Sequence, residues 1–252
     1  MGDPAAPAFY ARRGNAASDW WTLLHPPYTV WHLSYVVLGA AIAPARDWTA
    51  LAASVLAFFL AVGLAAHALD ELQGRPLRTA IGTTTLWTVA VLALAAAVVL
   101  GIVGAFFRDG TNWALVVAVP LGALLVVGYN LELFDGRLHT DRVFAWAWGG
   151  FPVVVGFVAQ SPPLRPGLVV SAAAMTLAAV GTSYAQRCLS TPARRLRRFT
   201  TSVTGRITAS DGAVVPLDRA TLLSPLERAL RTLAWAMPVL AVAVLLAHPA
   251  SG

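Results

Sequence analysis

The sequence contains no lysine, because all 18 of its basic residues are arginine. Schiff-base catalysis, a P-loop lysine and covalent attachment of retinal are therefore excluded. The single cysteine, Cys188, excludes a disulfide framework, a zinc–cysteine cluster and a cysteine-ligated iron–sulfur centre within the chain. Charged residues amount to only 12%, whereas soluble domains usually have about 25%. This shortage excludes both a water-soluble globular domain and an intrinsically disordered one.

Hydrophobic residues are abundant instead, at 58% of 252 residues and a mean hydropathy of +0.67. A helix needs about 20 apolar residues to cross the hydrocarbon core of a bilayer. Charged turns, such as Arg108-Asp109-Gly110 and the proline-rich stretch 162–166, separate the apolar stretches. The sequence therefore predicts an all-α, polytopic membrane bundle of about seven transmembrane helices. These are residues 28–45, 48–70, 80–107, 112–134, 143–160, 167–187 and 232–248.

The arginines predict the orientation of this bundle. If the N-terminus is cytoplasmic, 15 arginines lie on the cytoplasmic side and only Arg46, Arg108 and Arg165 lie outside. We therefore expect a multi-pass protein of the cell membrane with its C-terminus outside. The predicted units are a cytoplasmic segment (1–27), a six-helix core with a cytoplasmic polar pocket (28–187), an arginine-rich loop or cap (188–231) and a last helix with an outer tail (232–252).

The arginine-rich segment 188–231 has two interpretations. It begins with Arg194, Arg195, Arg197 and Arg198 and ends in an amphipathic pattern of leucines. In the simpler interpretation it is a loop whose arginines contact anionic lipid headgroups. In the other it is a cap over a cytoplasmic cavity, where the arginines bind an anionic ligand.

Acidic residues form two clusters at the predicted cytoplasmic ends of spans. His67, Asp70 and Glu71 have the spacing of one helix face at the end of the second span. Glu132 and Asp135 share a face at the end of the fourth span, and Gly136 is expected to end that helix. His25, His32 and His248 have no acidic or cysteine neighbours at ligand spacing, so we interpret them as interfacial or packing residues.

Two carboxylate pairs at one membrane depth fit a hard divalent cation. Mg²⁺ prefers oxygen ligands and shares its coordination with substrate phosphates. The sequence thus predicts a catalytic magnesium site made by Asp70, Glu71, Glu132 and Asp135. In the alternative interpretation, these carboxylates form ordinary interfacial salt bridges with Arg75, Arg78, Arg137 and Arg142.

The first acidic cluster resembles a signature of the UbiA superfamily of membrane prenyltransferases, which reads roughly Asn-Asp-x-x-Asp-x-x-x-Gly. Asp70 and Gly74 match it, whereas Ala66 and His67 replace the Asn and the first Asp. The aromatic stretch 143–160, with paired glycines and a terminal Gln, looks like the menaquinone-pathway branch. The second Asp-rich motif of the family is replaced by the stretch 183–187, which has no acidic residue. The family usually has nine helices, and this sequence predicts seven.

The resemblance implies a prenyl diphosphate whose tail lies between helices and whose head lies at the acidic clusters with Mg²⁺. It also implies an aromatic or lipid acceptor, surrounding membrane lipids, and no nucleic acid. Tyr129, Trp146 and Trp148 are expected to stabilise an allylic cation through their ring faces. The full expected substrate-binding set is His67, Arg75, Tyr129, Asn130, Arg137, Asp141, Trp146, Trp148 and Arg187.

Three functions remain open from the sequence. The first is transfer of the prenyl group to an acceptor. The second is intramolecular cyclisation of the prenyl diphosphate, a lyase activity that the resemblance also allows. The third is a non-catalytic membrane protein that binds a lipid or a partner. The sequence names neither the acceptor, nor the prenyl chain length, nor the oligomeric state.

Overall fold

In the computed structural model, residues 6–107, 110–161 and 164–247 are described. They form eight helices and one hairpin. The helices are α1 (Ala16–Leu24), α2 (Pro26–Ala41), α3 (Trp48–Leu72), α4 (Thr83–Phe106), α5 (Trp113–Asn130), α6 (141–158), α7 (Pro166–Arg198) and α8 (Arg219–Ala247). Strands β1 (Arg206–Thr208) and β2 (Val214–Pro216) lie between α7 and α8. The predicted turn residues Arg108, Asp109, Pro162 and Pro163, together with His248 and the outer tail, lie outside the described residues.

Five of these helices, α3, α4, α5, α7 and α8, are long and apolar enough to cross a membrane. The prediction of an all-helical membrane bundle is confirmed at this level. The other two predicted spans are helical as well, but α2 has only 16 residues, and α6 begins with the charged pair Asp141 and Arg142. The count of seven spans stays a prediction.

Helices α2 and α6 cross at the centre of the bundle with their backbones in contact. A Cβ atom on Gly39 would lie 2.1 Å from the carbonyl oxygen of Val153, and one on Gly156 would lie 2.2 Å from that of Val36. Only glycine fits at such an approach, because any side chain would meet rigid backbone. Gly149 brings α6 equally close to α7, since its Cβ would lie 2.6 Å from the carbonyl oxygen of Ala179. Three glycines therefore fix the position of α6.

Two helices contain a π-helical segment. In α3 this segment is Phe59–Ala66, and in α6 it is Ala145–Gly150. A π-helix has i→i+5 hydrogen bonds and takes more residues per turn than an α-helix. Side chains beyond each segment therefore point in directions that the α-helical spacing of the sequence does not predict.

The predicted helical face of Glu132 and Asp135 is wrong. Helix α5 ends at Asn130, and Glu132, Phe134 and Asp135 have positive φ angles of 51°, 59° and 57°. The helix stops because the backbone N–H of Leu133 donates to the carbonyl of Gly128. Such a bond closes a helix C-terminus through a left-handed turn. The second acidic cluster thus lies in an irregular turn beyond the helix.

The predicted loop 188–231 is helical at both ends. Helix α7 continues to Arg198, and α8 already begins at Arg219. At the start of α8, the Asp218 carboxylate accepts hydrogen bonds of 2.7 Å from both the backbone N–H and the hydroxyl of Thr221. These bonds favour the charged form and lower the pKa of Asp218 below its ordinary value. Only the stretch with the exposed hairpin, in which Ile207 lies opposite Val215, is non-helical.

Candidate functional site

A polar pocket lies at the end of the bundle where α3 and α5 end and α7 continues past the other helices. Its walls come from α2, α3, α5, α6, α7 and α8, and its cover is the segment that precedes α1. Arginines of α7 face titratable and aromatic side chains across it. The main lining residues of this polar pocket are Tyr10, His25, Tyr28, His32, His67, Asp70, Tyr129, Asn130, His139, Phe144, Trp148, Gln186, Arg187, Arg194, Arg197, Arg198 and Glu227.

The structure brings six of the predicted site residues together in this pocket. They come from four helices that are distant in the chain, and they include one carboxylate and one arginine. The roles predicted for them stay predictions. The six are His67, Asp70, Tyr129, Asn130, Trp148 and Arg187.

Glu71 and Arg75 shape the connection between α3 and α4 instead of lining the pocket. The Glu71 side chain is fully buried. Its two oxygens accept hydrogen bonds of 2.9 Å from the backbone N–H groups of Leu77 and Thr79, and from the Thr79 hydroxyl. Arg75 donates to the Thr83 hydroxyl at 2.8 Å. Glu71 therefore holds the connection between α3 and α4, and its side chain does not line the pocket.

Glu132, Asp135 and Arg137 are exposed side chains of the turn after α5 and do not line the pocket themselves. The Glu132 Oε1 atom lies 3.8 Å from the Nδ1 atom of His139, which does line it. Trp146 is also separated from the pocket, since it is 53% exposed on the outside of α6, whereas Trp148 is only 5% exposed. The expectation that both tryptophans face a cavity is therefore wrong for Trp146. Within the π-helical segment, the two rings point to different sides.

The described residues show neither the predicted magnesium site nor the alternative set of interfacial salt bridges. Among the described residues, no group of three His, Cys, Asp or Glu side chains could hold a metal ion. The four predicted carboxylates do not converge, because only Asp70 lines the polar pocket. Within the same described ranges, these carboxylates also form no ion pair with Arg75, Arg78, Arg137 or Arg142. The Asp70 carboxylate itself has neither a hydrogen bond nor an ion pair with any described residue.

The arginines of α7 make the pocket strongly basic. The Arg187 Nε atom donates to the Asp141 Oδ1 atom at 2.6 Å, so Asp141, a predicted binding residue, orients this guanidinium from outside. Arg197 pairs with Glu227 of α8, with 2.9 Å between Nη2 and Oε2. Arg194 forms no ion pair with a described residue, and its Nη2 atom donates to the Thr191 hydroxyl at 3.4 Å. Its planar fork is suited to phosphate oxygens.

Aromatic rings form the floor of the pocket. The Tyr129 ring centroid lies 4.6 Å from that of Trp148 and 4.4 Å from that of His139. Phe144 stacks on Trp148 at 5.7 Å, and the Arg187 guanidinium lies 5.0 Å from the Phe144 ring. Tyr129 is therefore stacked on His139, and Trp148 on Phe144. The predicted role of Tyr129 and Trp148 toward an allylic cation stays a prediction.

His25 and His32 line the pocket, whereas the sequence predicts them to be interfacial or packing residues. The His25 ring centroid lies 4.1 Å from that of His67 and 5.1 Å from that of Tyr10. Burial, and then the neighbouring His67, Arg198 and Arg194, lower the pKa of His25 well below its ordinary value. No spacing in the sequence signals this contact, because the turn before α2 brings His25 to a residue 42 positions later.

The N-terminal segment covers the pocket. The Arg197 Nη1 and Arg198 Nε atoms donate to the backbone carbonyls of Ala6 and Pro7 at 3.1 and 3.2 Å. Burial raises the pKa of the Tyr10 phenol, which packs against His25 and Tyr28 under this cover. Two pocket arginines therefore bind neutral carbonyl oxygens.

An apolar cavity of about 350 Å³ adjoins the polar pocket. It lies between α3, α4, α5 and α6 and extends from Asp47, at the beginning of α3, to Trp148, which lines both spaces. Along α3, Val62 faces the apolar cavity, whereas Ala66 and Asp70 face the polar pocket. The two spaces are thus stacked along the bundle.

Comparisons with protein-family models, curated proteins and solved structures found no match to this chain. The geometry of the pocket and the cavity is therefore the basis for the function proposed below.

Proposed function

We propose that the chain is an integral membrane prenyltransferase of the UbiA type that binds a prenyl diphosphate and transfers its prenyl group to an acceptor. The observation that carries this proposal is the stacking of an arginine-rich pocket on an apolar cavity, with Trp148 in both linings. A prenyl diphosphate has the same division into a polyanionic head and a hydrocarbon tail. The resemblance of the sequence adds support to this assignment.

The residues of the chain suit the ionisation of an allylic diphosphate. Arg187 and Arg194 supply charged donors for the leaving diphosphate, which stabilises the charge that develops as the C1–O bond breaks. The ring faces of Tyr129 and Trp148 stabilise the allylic cation on the carbon side. The apolar lining of the cavity disfavours water, which would otherwise hydrolyse that cation.

Mg²⁺ stays a prediction from the resemblance. The described residues do not assemble the four-carboxylate site, so we derive the binding of the diphosphate from the arginines. Asp70 is the one predicted ligand at the pocket. Its carboxylate lines the pocket together with the arginines and is the one group of the predicted acidic set that the proposal retains.

The arginine distribution supports a cytoplasmic position for the pocket. Reporter fusions at residues 75 and 138 are expected to place both connections in the cytoplasm, on one side of the membrane. A fusion that places either residue outside would contradict the proposed topology.

Turnover of prenyl diphosphates of several lengths tests the function. We expect the purified protein to release diphosphate and to form a prenyl conjugate when an extract of membrane lipids and small acceptors is present. Asp70→Asn is expected to abolish turnover, whereas the matched Asp135→Asn, in the exposed turn, keeps it. Circular dichroism and size-exclusion profiles establish that both variants fold.

The other outcomes separate the remaining functions. Release of diphosphate together with a cyclic hydrocarbon, in the absence of an acceptor, would identify a terpene cyclase. Tight binding of a prenyl diphosphate without turnover would identify a non-catalytic lipid-binding protein. Full activity of Asp70→Asn would overturn the role assigned to that carboxylate.

A further inference from the structure

Hydrogen-bonding groups without partners are concentrated in the polar pocket. Among the described residues, buried side-chain atoms that lack a hydrogen bond include His25 Nε2, Tyr129 Oη and Gln186 Oε1. All three residues line this one pocket. Leaving a buried polar group unsatisfied costs about 1–3 kcal/mol, and more than 90% of such groups in folded proteins have a partner. The concentration of unpartnered atoms therefore indicates a ligand that completes them.

Two further histidines present hydrogen-bond acceptors to the same pocket. The Nδ1 atoms of His32 and His67 lie 2.9 and 3.0 Å from the carbonyl oxygens of Trp148 and Gly63. A carbonyl oxygen only accepts, so each Nδ1 carries the proton. In the neutral ring this leaves a lone pair on Nε2. Neither Nε2 atom has a hydrogen bond to a described residue, and both side chains line the pocket.

A diphosphate satisfies only part of these groups. Its oxygens accept hydrogen bonds, which suits the arginines of α7 and the Tyr129 hydroxyl but not an amide oxygen, two imidazole lone pairs and the unpaired Asp70 carboxylate. A second anion is disfavoured because a bound diphosphate already engages the arginines, which leaves Asp70 to repel another negative charge. The pocket thus has a donor half, formed by the arginines of α7, and an acceptor half, formed mainly by His32, His67, Asp70 and Gln186.

We infer that the acceptor half binds a second substrate, a neutral polyhydroxylated alcohol, which is the acceptor of the prenyl group. This inference rests on the proposed function and specifies its substrate class. The acceptor groups lie on α2, α3 and α7, so a ligand that satisfies them must donate from several positions. Hydroxyl groups arranged around a compact, uncharged molecule meet this requirement, and each also accepts from Tyr129.

The position of these groups fits a reaction at the boundary of the two spaces. His32 is hydrogen-bonded to the backbone of Trp148, the residue that lines both the polar pocket and the apolar cavity. In the proposed step, the C1–O bond of the prenyl diphosphate breaks, and the diphosphate leaves with the electron pair. An alcohol oxygen forms the new bond to C1, and its proton passes to the Nε2 lone pair of His67. The products are a prenyl ether, diphosphate and the protonated histidine.

Binding measurements test the second substrate separately from turnover. We would titrate the full-length protein in nanodiscs, first saturated with inorganic diphosphate, with myo-inositol as the neutral polyol and 4-hydroxybenzoate as an anionic aromatic. The polyol is expected to bind, and 4-hydroxybenzoate is not. Gln186→Leu, which removes an acceptor at similar volume, should weaken polyol binding roughly tenfold, the equivalent of one hydrogen bond, and leave diphosphate binding unchanged. Arg194→Gln should give the opposite pattern.

Turnover provides the second readout. With a prenyl diphosphate present, the polyol should accelerate diphosphate release and yield an ether that mass spectrometry detects. Binding of the diphosphate without binding of the polyol would overturn the inference and leave the proposed function intact. Preferential binding of 4-hydroxybenzoate, or equal loss of both ligands in Gln186→Leu when the variant is folded, would also overturn it. Failure to bind any diphosphate would overturn the proposed function instead.

Discussion

Asp141 and Arg187, 46 residues apart in the chain, form an ion pair of 2.6 Å that joins the beginning of α6 to the C-terminal half of α7. Asp141 is 41% exposed at its side chain, whereas Arg187 is 11% exposed and faces the polar pocket. The carboxylate thus orients the guanidinium from the pocket rim. The Arg187 Nε–H group donates to Asp141, and the central carbon of the guanidinium lies 5.0 Å from the Phe144 ring centroid, at the polar pocket.

This geometry predicts the effect of removing the arginine. Arg187→Ala should weaken binding of a prenyl diphosphate by about 1.5–3 kcal/mol, because it deletes a charged hydrogen bond. Asp141→Asn should weaken it less, since the guanidinium stays but loses its orientation. Arg142→Ala, an exposed neighbour of Asp141, is the matched control and should bind normally. Calorimetric titration of each variant measures the difference, and equal affinities for Arg187→Ala and Arg142→Ala would contradict the assignment.

The two tryptophans of α6 give a second prediction. Trp148→Phe should lower turnover and change the preferred prenyl length, because this ring forms the boundary between head and tail. Trp146→Phe should leave both unchanged, since that ring is 53% exposed outside the site. Turnover with a series of chain lengths compares the two variants directly. An identical response of both would show that the boundary lies elsewhere.

The glycine crossing predicts a large effect on stability. Gly39→Ala places a methyl group against the backbone of α6 and should destabilise the fold by about 1–3 kcal/mol, as overpacking does. Gly181→Ala is the control, because a Cβ atom there meets no other heavy atom within 4 Å. In a helix interior, that change should stabilise by about 0.5–1 kcal/mol. Thermal unfolding in detergent should therefore shift in opposite directions for the two variants.

The cover over the pocket predicts ligand-dependent exposure. The polar pocket holds about 100 Å³, which is less than the roughly 300–1,000 Å³ of small-molecule sites. A bound diphosphate must therefore displace the segment around Ala8 and replace the carbonyls at Arg197 and Arg198. In a Cys188→Ser background, Ala8→Cys should react faster with a maleimide when diphosphate is present. Ala147→Cys, buried in α6, should stay protected. Unchanged labelling at position 8 despite bound diphosphate would refute the displacement.

The sequence predicts the bundle well because apolar length alone determines which segments cross a bilayer. Five helices of the structure are predicted as membrane spans, and Asp70 lies at the end of one of them, where it lines the pocket. Predictions from residue spacing are wrong where the backbone departs from α-helical geometry. Glu132 and Asp135 lie in a left-handed turn, and Trp146 points outward from a π-helical segment.

The histidines show a different limit of sequence reasoning. His25 and His67 touch only because a turn and a helix crossing bring two distant segments together. The residue pattern within a single helix gives no information about a contact between two distant segments. The tautomer of His67 likewise depends on the backbone carbonyl of Gly63, one turn earlier in the helix. Every helix has such carbonyl groups, so no residue type in the sequence indicates that this one fixes the tautomer. These features follow from tertiary packing.

The π-helical segments make the length of two helices part of the chemistry of the site. Because a π-helix takes more residues per turn than an α-helix, a single deletion within Phe59–Ala66 would allow that stretch to wind as an α-helix and would leave Asp70 close to its present direction. A single deletion in the α-helical part of α3 before this segment would instead turn Asp70 by about 100° relative to the beginning of the helix, although every side chain at the pocket is retained. In α6, a deletion within Ala145–Gly150 would likewise preserve the directions of the residues that follow it. Two chains that differ by one gap would therefore present the same face or different faces to a ligand, depending on whether the gap lies inside a π-helical segment.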